Sequence, residues 1–277
     1  MSKILVVGSS GLVGTALVKE LKTKGHTVRG TTSKREGSGH DVAYLDLTTG
    51  EGLNAAFEGI DRAFFLSPPG YVDQYAMLSP LIQEAKRRGL EKVVLMTAMG
   101  ANASDSTPFR RAEIELEKSG LTYNIIRPNW FLQNFNTFWS HDIKTAGAIK
   151  LPAGSAKTSF IDARDISAVA ARLLTSAEFD NRDLDLTGPQ AVDHAEVARA
   201  ISASTGRRVG YQEITPEAFK ATLLGFGLPA AYVDFMVLII GFLREGYNAG
   251  VSGNVKAVLG RDPISLSKYA EDYKNSL

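Results

Sequence analysis

The residues with the strongest chemical signature stand near the start of the chain, where Gly8, Gly11 and Gly14 recur every third position in Gly8-Ser9-Ser10-Gly11-Leu12-Val13-Gly14. The apolar run Ile4-Leu5-Val6-Val7 precedes them and a helical pattern follows. A strand that feeds a helix through such a turn leaves the first helical N–H groups exposed, and their partial positive charge suits a pyrophosphate. Gly8 lets the chain turn sharply, Gly11 lets the backbone approach phosphate, and Gly14 lets the helix pack close to the strand. The motif predicts a dinucleotide site built from Gly8, Ser10, Gly11, Leu12, Val13 and Gly14.

The end of the second strand reports on the cofactor. An NAD enzyme usually carries Asp or Glu there for the ribose 2′-hydroxyl, whereas this chain has Thr31-Thr32-Ser33-Lys34-Arg35. No carboxylate opposes a 2′-phosphate, and hydroxyls and two cations are at hand to hold one. Thr32, Ser33, Lys34 and Arg35 therefore favour NADP(H), with NAD(H) left open; the alternative is that Lys34 and Arg35 are a solvated loop. Asp46 and Leu47, after the third strand, are placed to meet the adenine, or else Asp46 caps the following helix. Ser67 and Pro68, in Leu66-Ser67-Pro68-Pro69-Gly70, are expected beside the nicotinamide ribose, the alternative being that the two prolines only stiffen a turn.

Other chemistries find little support. The chain has no cysteine, which excludes thiol catalysis, disulfides and cysteine-ligated metals. Its four histidines, His26, His40, His141 and His194, lack zinc-ligand spacing and read as structural, so no metal is expected. Neither a serine-hydrolase elbow nor a P-loop is present. Asp162 and Asp165 read as helix-start residues rather than an acid pair, and Lys86-Arg87-Arg88 as a basic last helical turn. A net charge of +1 without a basic tract gives no sign of a nucleic-acid partner. The opening Met1-Ser2-Lys3 runs straight into a strand, and no apolar run reaches membrane-spanning length, so a cytoplasmic protein with no membrane partner is expected.

The elements that must position these residues alternate. Strands are expected at 3–7, 27–31, 42–45, 62–66, 92–97 and 123–127, with helices around 11–24, 53–58, 72–88 and 110–119. That alternation is the mark of βαβ units in a parallel sheet. Beyond Pro128 the expectations are an aromatic-rich helical stretch at 129–145, strands at 158–161, 184–186 and 209–214, and helices at 163–174, 194–205, 216–224 and 229–247. The fold class is α/β: a Rossmann-type doubly wound parallel sheet with a smaller, mainly helical carboxyl-terminal substrate lobe. The expected division is a dinucleotide-binding core over 1–150, with return segments near 155–187, and a lobe over 188–277.

Several stretches together resemble the NmrA-like group of atypical short-chain dehydrogenases: the glycine turn, whose spacing is common in extended short-chain dehydrogenases, Asp46-Leu47, Val93-Val94-Leu95-Met96-Thr97-Ala98-Met99-Gly100, Ser119-Gly120-Leu121-Thr122-Tyr123 through Arg127-Pro128-Asn129-Trp130-Phe131-Leu132-Gln133-Asn134, Phe160-Ile161-Asp162-Ala163-Arg164-Asp165-Ile166 and Leu186-Thr187-Gly188-Pro189. The resemblance covers most of the chain to about Thr215. It implies that Thr97 and Ala98 border the nicotinamide, and that Met99, Asn129, Trp130 and Phe131 line a substrate pocket. Tyr71 and the apolar helix around Phe235 are further candidates for that pocket. About half of the aromatic cluster Trp130, Phe131, Phe135, Phe138 and Trp139 is expected in the pocket and the rest in the core.

One departure matters. Short-chain dehydrogenases pair a Tyr with a Lys four residues later, and none of the nine tyrosines here has that Lys. Where many NmrA-like proteins carry Lys or His in the helix before Ser-Gly-Leu, this chain has Phe109 followed by Arg110 and Arg111, and arginine is a poor proton donor. The catalytic residues are therefore unassigned. The resemblance implies an NAD(P)H-dependent, flavin-free reductase of a small hydrophobic acceptor, such as a quinone or azo compound, acting as a monomer or homodimer. The alternative is a non-catalytic NADP(H)-binding redox sensor.

Overall fold

The computed structural model describes residues 2–39 and 41–277; His40, one of the histidines read as structural, lies outside the described residues. The chain falls into two compact units. The first comprises Met1–Pro128, Arg164–Asp185 and Ala257–Gly260, and the second Asn129–Ala163, Leu186–Lys256 and Arg261–Leu277.

In the first unit six strands and their connecting helices alternate: β1 (Lys3–Val6), α1 (Leu12–Thr23), β2 (Thr27–Thr32), β3 (Val42–Tyr44), α2 (Leu53–Ala56), β4 (Arg62–Phe65), α3 (Gln74–Arg88), β5 (Lys92–Met96), α4 (Pro108–Glu117) and β6 (Tyr123–Pro128). The sheet order is β3-β2-β1-β4-β5-β6, completed at the edge by a later strand (Arg182–Leu186). The neighbouring pairs from β3 to β6 are parallel. The order reverses between β1 and β4, and a doubly wound sheet binds its ligand at the carboxyl ends of strands flanking such a reversal.

The strand sequences are apolar on successive residues because both faces are covered. Leu5, Val7, Ala63, Phe65, Val93, Leu95 and Ile125 point to one face, where they pack with Phe57, Leu78, Leu81, Ile82, Ala85, Ala112 and Leu116. Their alternates Ile4, Val6, Phe64, Val94 and Ile126 are also buried, as the two-residue period of a strand requires. In α1 the buried residues Val13, Gly14, Leu17 and Leu21 recur at helical spacing, and each fully buried leucine contributes about 1.5–3 kcal/mol. α3 ends where Gly89 adopts φ +65°, and its N–H donates to the Lys86 carbonyl at 3.0 Å, the αL stop expected of glycine after a basic turn.

The second unit has its own core, in which Phe135, Trp139, Ile143, Ile149, Leu151, Phe160, Val197, Ile201, Met236, Ile240 and Tyr269 pack together. Its elements are α5 (Ser140–Ala146), β7 (Ala148–Leu151), α7 (His194–Thr205), β9 (Gly210–Glu213), α8 (Pro216–Gly225), α9 (Ala230–Arg244) and α11 (Leu266–Tyr273). The strand Arg182–Leu186 noted above is β8; α6 (Ala163–Thr175) belongs almost wholly to the first unit, and α10 is Asn254–Leu259. β7 and β9 form a separate two-stranded parallel sheet.

Two expectations need correction. Residues 129–145 do not form one helix: a 3-10 helix (Leu132–Asn136) is followed by α5, and Thr137 between them has φ −125° and ψ −88°. The break is tertiary in origin, since the Gln133 side chain donates to Asp162 Oδ1 at 2.9 Å and accepts from the Ala163 N–H at 2.9 Å. The stretch 158–161 forms no regular strand and makes only isolated bridges, Thr158 to Val192 and Ile161 to Phe131.

Candidate functional site

The glycine turn closes as the chemistry requires. Gly8 has φ +75°, and a Cβ there would lie 2.8 Å from Leu66 Cδ1, at the end of β4. Side chains rarely adopt that φ, and the contact places the turn at the sheet reversal. A Cβ on Gly14 would come 2.1 Å from the Gly8 carbonyl oxygen, so only glycine lets α1 approach its strand so closely. Gly11 is the N-terminal boundary residue of α1, and no side chain caps that end. Ser10, Gly11 and Leu12 are exposed, whereas Val13 is buried beneath them. A helix start with exposed first-turn residues, no side-chain cap and a glycine frame fits a pyrophosphate.

The structure adds residues that the motif did not reveal. The Ser9 hydroxyl donates to the Thr31 carbonyl at 3.0 Å and accepts from the Thr31 N–H at 3.1 Å. Thr31 Oγ1 in turn accepts from the Gly8 N–H at 3.2 Å. A Cβ on Gly30 would meet Ser9 Oγ at 2.4 Å, which explains a glycine inside β2. A lone glycine in a strand pattern signals such a close approach, and that was the available clue. Ser9 and Thr31 thus tie the turn to β2.

At the end of β2, Ser33, Lys34 and Arg35 are exposed and Thr32 is partly buried. Thr32 Oγ1 accepts from the Lys34 N–H at 3.1 Å. Arg35 does not stand alone: it lies over the Tyr44 ring at 4.4 Å and pairs with Glu51. Asp46 organises the turn after β3, accepting from the Thr48 hydroxyl at 2.6 Å and the Thr48 N–H at 2.8 Å. Those bonds, chiefly the one from the Thr48 side chain, hold its carboxyl below the usual range. Leu47 is partly buried beside it.

Beyond β4, Ser67 Oγ lies 3.4 Å from the Pro68 carbonyl, and Tyr71 is exposed with its carbonyl accepting from the Gln74 amide at 2.8 Å. Beyond β5, Thr97 is buried, while Ala98 and Met99 are partly buried. The Thr97 hydroxyl donates to Glu113 Oε1 at 2.6 Å. Glu113 also accepts from Arg127 Nε at 2.9 Å and Nη2 at 2.8 Å, and from Arg110 Nη1 at 3.0 Å. Burial opposes the Arg127 charge, but its hydrogen bonds and attraction to Glu113, then to Asp183, hold the guanidinium above its usual range. Glu113, one turn beyond Phe109, is the residue of α4 that reaches the end of β5. Its role was not visible in sequence, because Thr97 and Arg127 come from other elements.

Four further candidates lie in the second unit. Asn129 is buried and its side chain is fully engaged: Nδ2 donates to Ser159 Oγ and the Asn248 carbonyl, both at 2.8 Å. Its Oδ1 accepts from the Trp130 N–H at 2.9 Å and Asn248 Nδ2 at 3.0 Å. Trp130 is partly buried, with its ring 5.8 Å from Trp139, and Phe131 is partly buried ahead of the 3-10 helix. Phe235 is partly buried on α9 and lies 6.3 Å from the Tyr232 ring. Of the aromatic cluster, Phe135 and Trp139 are core residues and Phe138 is exposed. His194 is enclosed by Phe135, Phe160, Trp139 and Tyr211. Among the described residues, no cluster of His, Asp or Glu is arranged to hold a metal ion, and no helix is long and apolar enough to cross a membrane.

Comparison with known proteins agrees with this architecture. Residues 1–266 match the model of the NmrA-like family. The chain is 34% identical over 278 residues to an NAD(P)H azoreductase of Xenophilus azovorans, covering 97% of this chain and 96% of that protein. It is 24% identical over 204 residues to quinone oxidoreductase 2 of Escherichia coli, covering 72% of this chain and 70% of that one. The crystal structure of the Citrobacter sp. triphenylmethane reductase complexed with NADP(H) superposes with a TM-score of 0.83 at 19% identity, over 98% of this chain and 99% of that one. At that identity the likeness concerns the fold.

Proposed function

The chain belongs to the NmrA-like family, and on that premise we propose that it is an NADPH-favouring reductase that passes hydride to an electron-poor, planar, hydrophobic acceptor such as a quinone or azo compound. The observation that carries the reading is the glycine-framed, side-chain-free start of α1 at the sheet reversal. The azoreductase and quinone oxidoreductase relatives support the acceptor class.

The hydride is supplied by the nicotinamide of the bound cofactor. The protein's part is to bind and orient. Ser10, Leu12 and Val13 offer backbone N–H groups at the start of α1, while the Gly11 N–H closes the turn on the Gly8 carbonyl at 3.1 Å, and Ser33, Lys34 and Arg35 offer hydroxyl and cationic groups. Thr97 is fixed by Glu113, with its hydroxyl proton already committed there. An acceptor whose reduced anion is spread by conjugation takes its proton from water, so the missing Tyr–Lys pair is no obstacle.

The test is oxidation of NADPH and NADH by the purified protein against a panel of quinones and azo dyes, with cofactor binding measured alongside. Turnover favouring NADPH is expected, and Gly14→Ala should abolish cofactor binding through its clash with Gly8. Tight NADP(H) binding with no turnover of any acceptor would replace the reductase with a redox sensor.

A further inference from the structure

The acid missing from the end of β2 arrives from elsewhere. Glu51, 16 residues beyond Arg35, pairs with the guanidinium through Oε1, and the Tyr44 hydroxyl donates to its Oε2 at 3.4 Å. Arg35 therefore lies between a phenol ring on one face and a carboxylate at its edge. The main chain holds Glu51 there. Its carbonyl accepts from the Asp46 N–H at 3.0 Å, and Gly52 follows with φ +86° and room for no Cβ, which would come 2.1 Å from the Tyr44 carbonyl oxygen. Lys34 has no such acidic partner among the described residues.

We propose that Glu51 sets the cofactor preference by competing with a 2′-phosphate for Arg35. This rests on the reading that the glycine turn binds NAD(P)H. A phosphate dianion reaching Arg35 meets a carboxylate already there, and the two anions repel. A ribose 2′-hydroxyl carries no charge, and a carboxylate is its usual acceptor in NAD sites. Arg35 and Glu51 are both well exposed, and exposed ion pairs exchange partners at little cost. Glu51 thus lowers the advantage of NADPH without removing it, leaving a site that accepts both cofactors.

The experiment is calorimetric titration of the full chain with 2′,5′-ADP and with 5′-AMP, comparing wild type, Glu51→Gln and Arg35→Ala. For Glu51→Gln the affinity ratio of 2′,5′-ADP to 5′-AMP should rise about fivefold, as expected when one repelling charge is removed at short range in a watery site. Arg35→Ala should bring the ratio down toward one. An unchanged ratio in Glu51→Gln overturns the proposal, and so does failure of the wild type to bind either nucleotide. A raised ratio without reduction of any acceptor supports the role of Glu51 while refuting the reductase reading.

Discussion

Two sets of buried groups, one from each unit, treat polarity in opposite ways. In the first, each interior charge or hydroxyl described above has a matched partner: Glu113 accepts from Thr97, Arg110 and Arg127, and Ser9 both gives to and receives from Thr31. In the second, His194 is fully buried, enclosed by four aromatic rings, and neither ring nitrogen has a hydrogen-bond partner among the described residues. Burial pushes its pKa down to about 4, so it sits in the core as a neutral aromatic. A charge survives in an interior only when paired, whereas a histidine can shed its proton instead. The Glu113 and Ser9 contacts hold polar groups in place beside the candidate cofactor site; the His194 cluster uses an imidazole as packing.

The largest effect should come from breaking the paired interior. Glu113→Ala leaves the buried Arg127 with only the more exposed Asp183 and Asp185 as acidic partners and removes the Glu113 contacts of Thr97 and Arg110, and stability should fall by about 3–5 kcal/mol, read from urea denaturation. A loss below about 1 kcal/mol would mean that the pair adds little.

Next is the pH dependence contributed by His194. Its folded pKa lies below the ordinary value of 6.5, so the unfolded chain binds the proton more readily. Full stability holds above pH 6.5, falls as pH drops from 6.5 toward 4, and levels off below, for a total of roughly 3 kcal/mol. Thermal melts of wild type and His194→Phe across that range isolate this slope as their difference. A difference that stays flat would contradict the neutral buried imidazole.

A smaller loss is expected from Ser9→Ala, which leaves the Thr31 N–H and carbonyl without their present partner, at about 1–2 kcal/mol. Nucleotide affinity should fall with it, because the turn loses its tie to β2; unchanged affinity would limit Ser9 to a stabilising role. The smallest effect should be His194→Phe at pH 7, within about 1 kcal/mol of wild type. A large loss there would show that the imidazole makes a polar contact that matters.

Much of the first unit was legible because its signals are local. The glycines of the turn, the glycine after Arg88 and the alternation of short apolar runs with amphipathic helices each follow from stereochemistry within a few residues. The same holds for α7, which starts at His194 behind the reciprocal cap of Asp193 and Glu196 and ends at Gly206. Residues 129–145 misled for the complementary reason. Their aromatic spacing looks helical, but Gln133 and Trp139 are held by groups far along the chain. β7 is not legible in the sequence because four residues, Ala148 to Leu151, become a strand only through β9, and α10 and α11 span only six and eight residues, too few for a helical period to stand out.

By itself, the sequence determined a parallel α/β core, the glycine turn between β1 and α1 and the family, because turn geometry and side-chain periodicity act over a few residues. Only the tertiary structure decided that Glu113 would hold Thr97, that Ser9 would clasp β2 beneath Gly30, and that the acid absent after β2 would reach Arg35 from Glu51. Those pairings join residues that are distant in the chain and meet only once the sheet has ordered its strands and the loops between them.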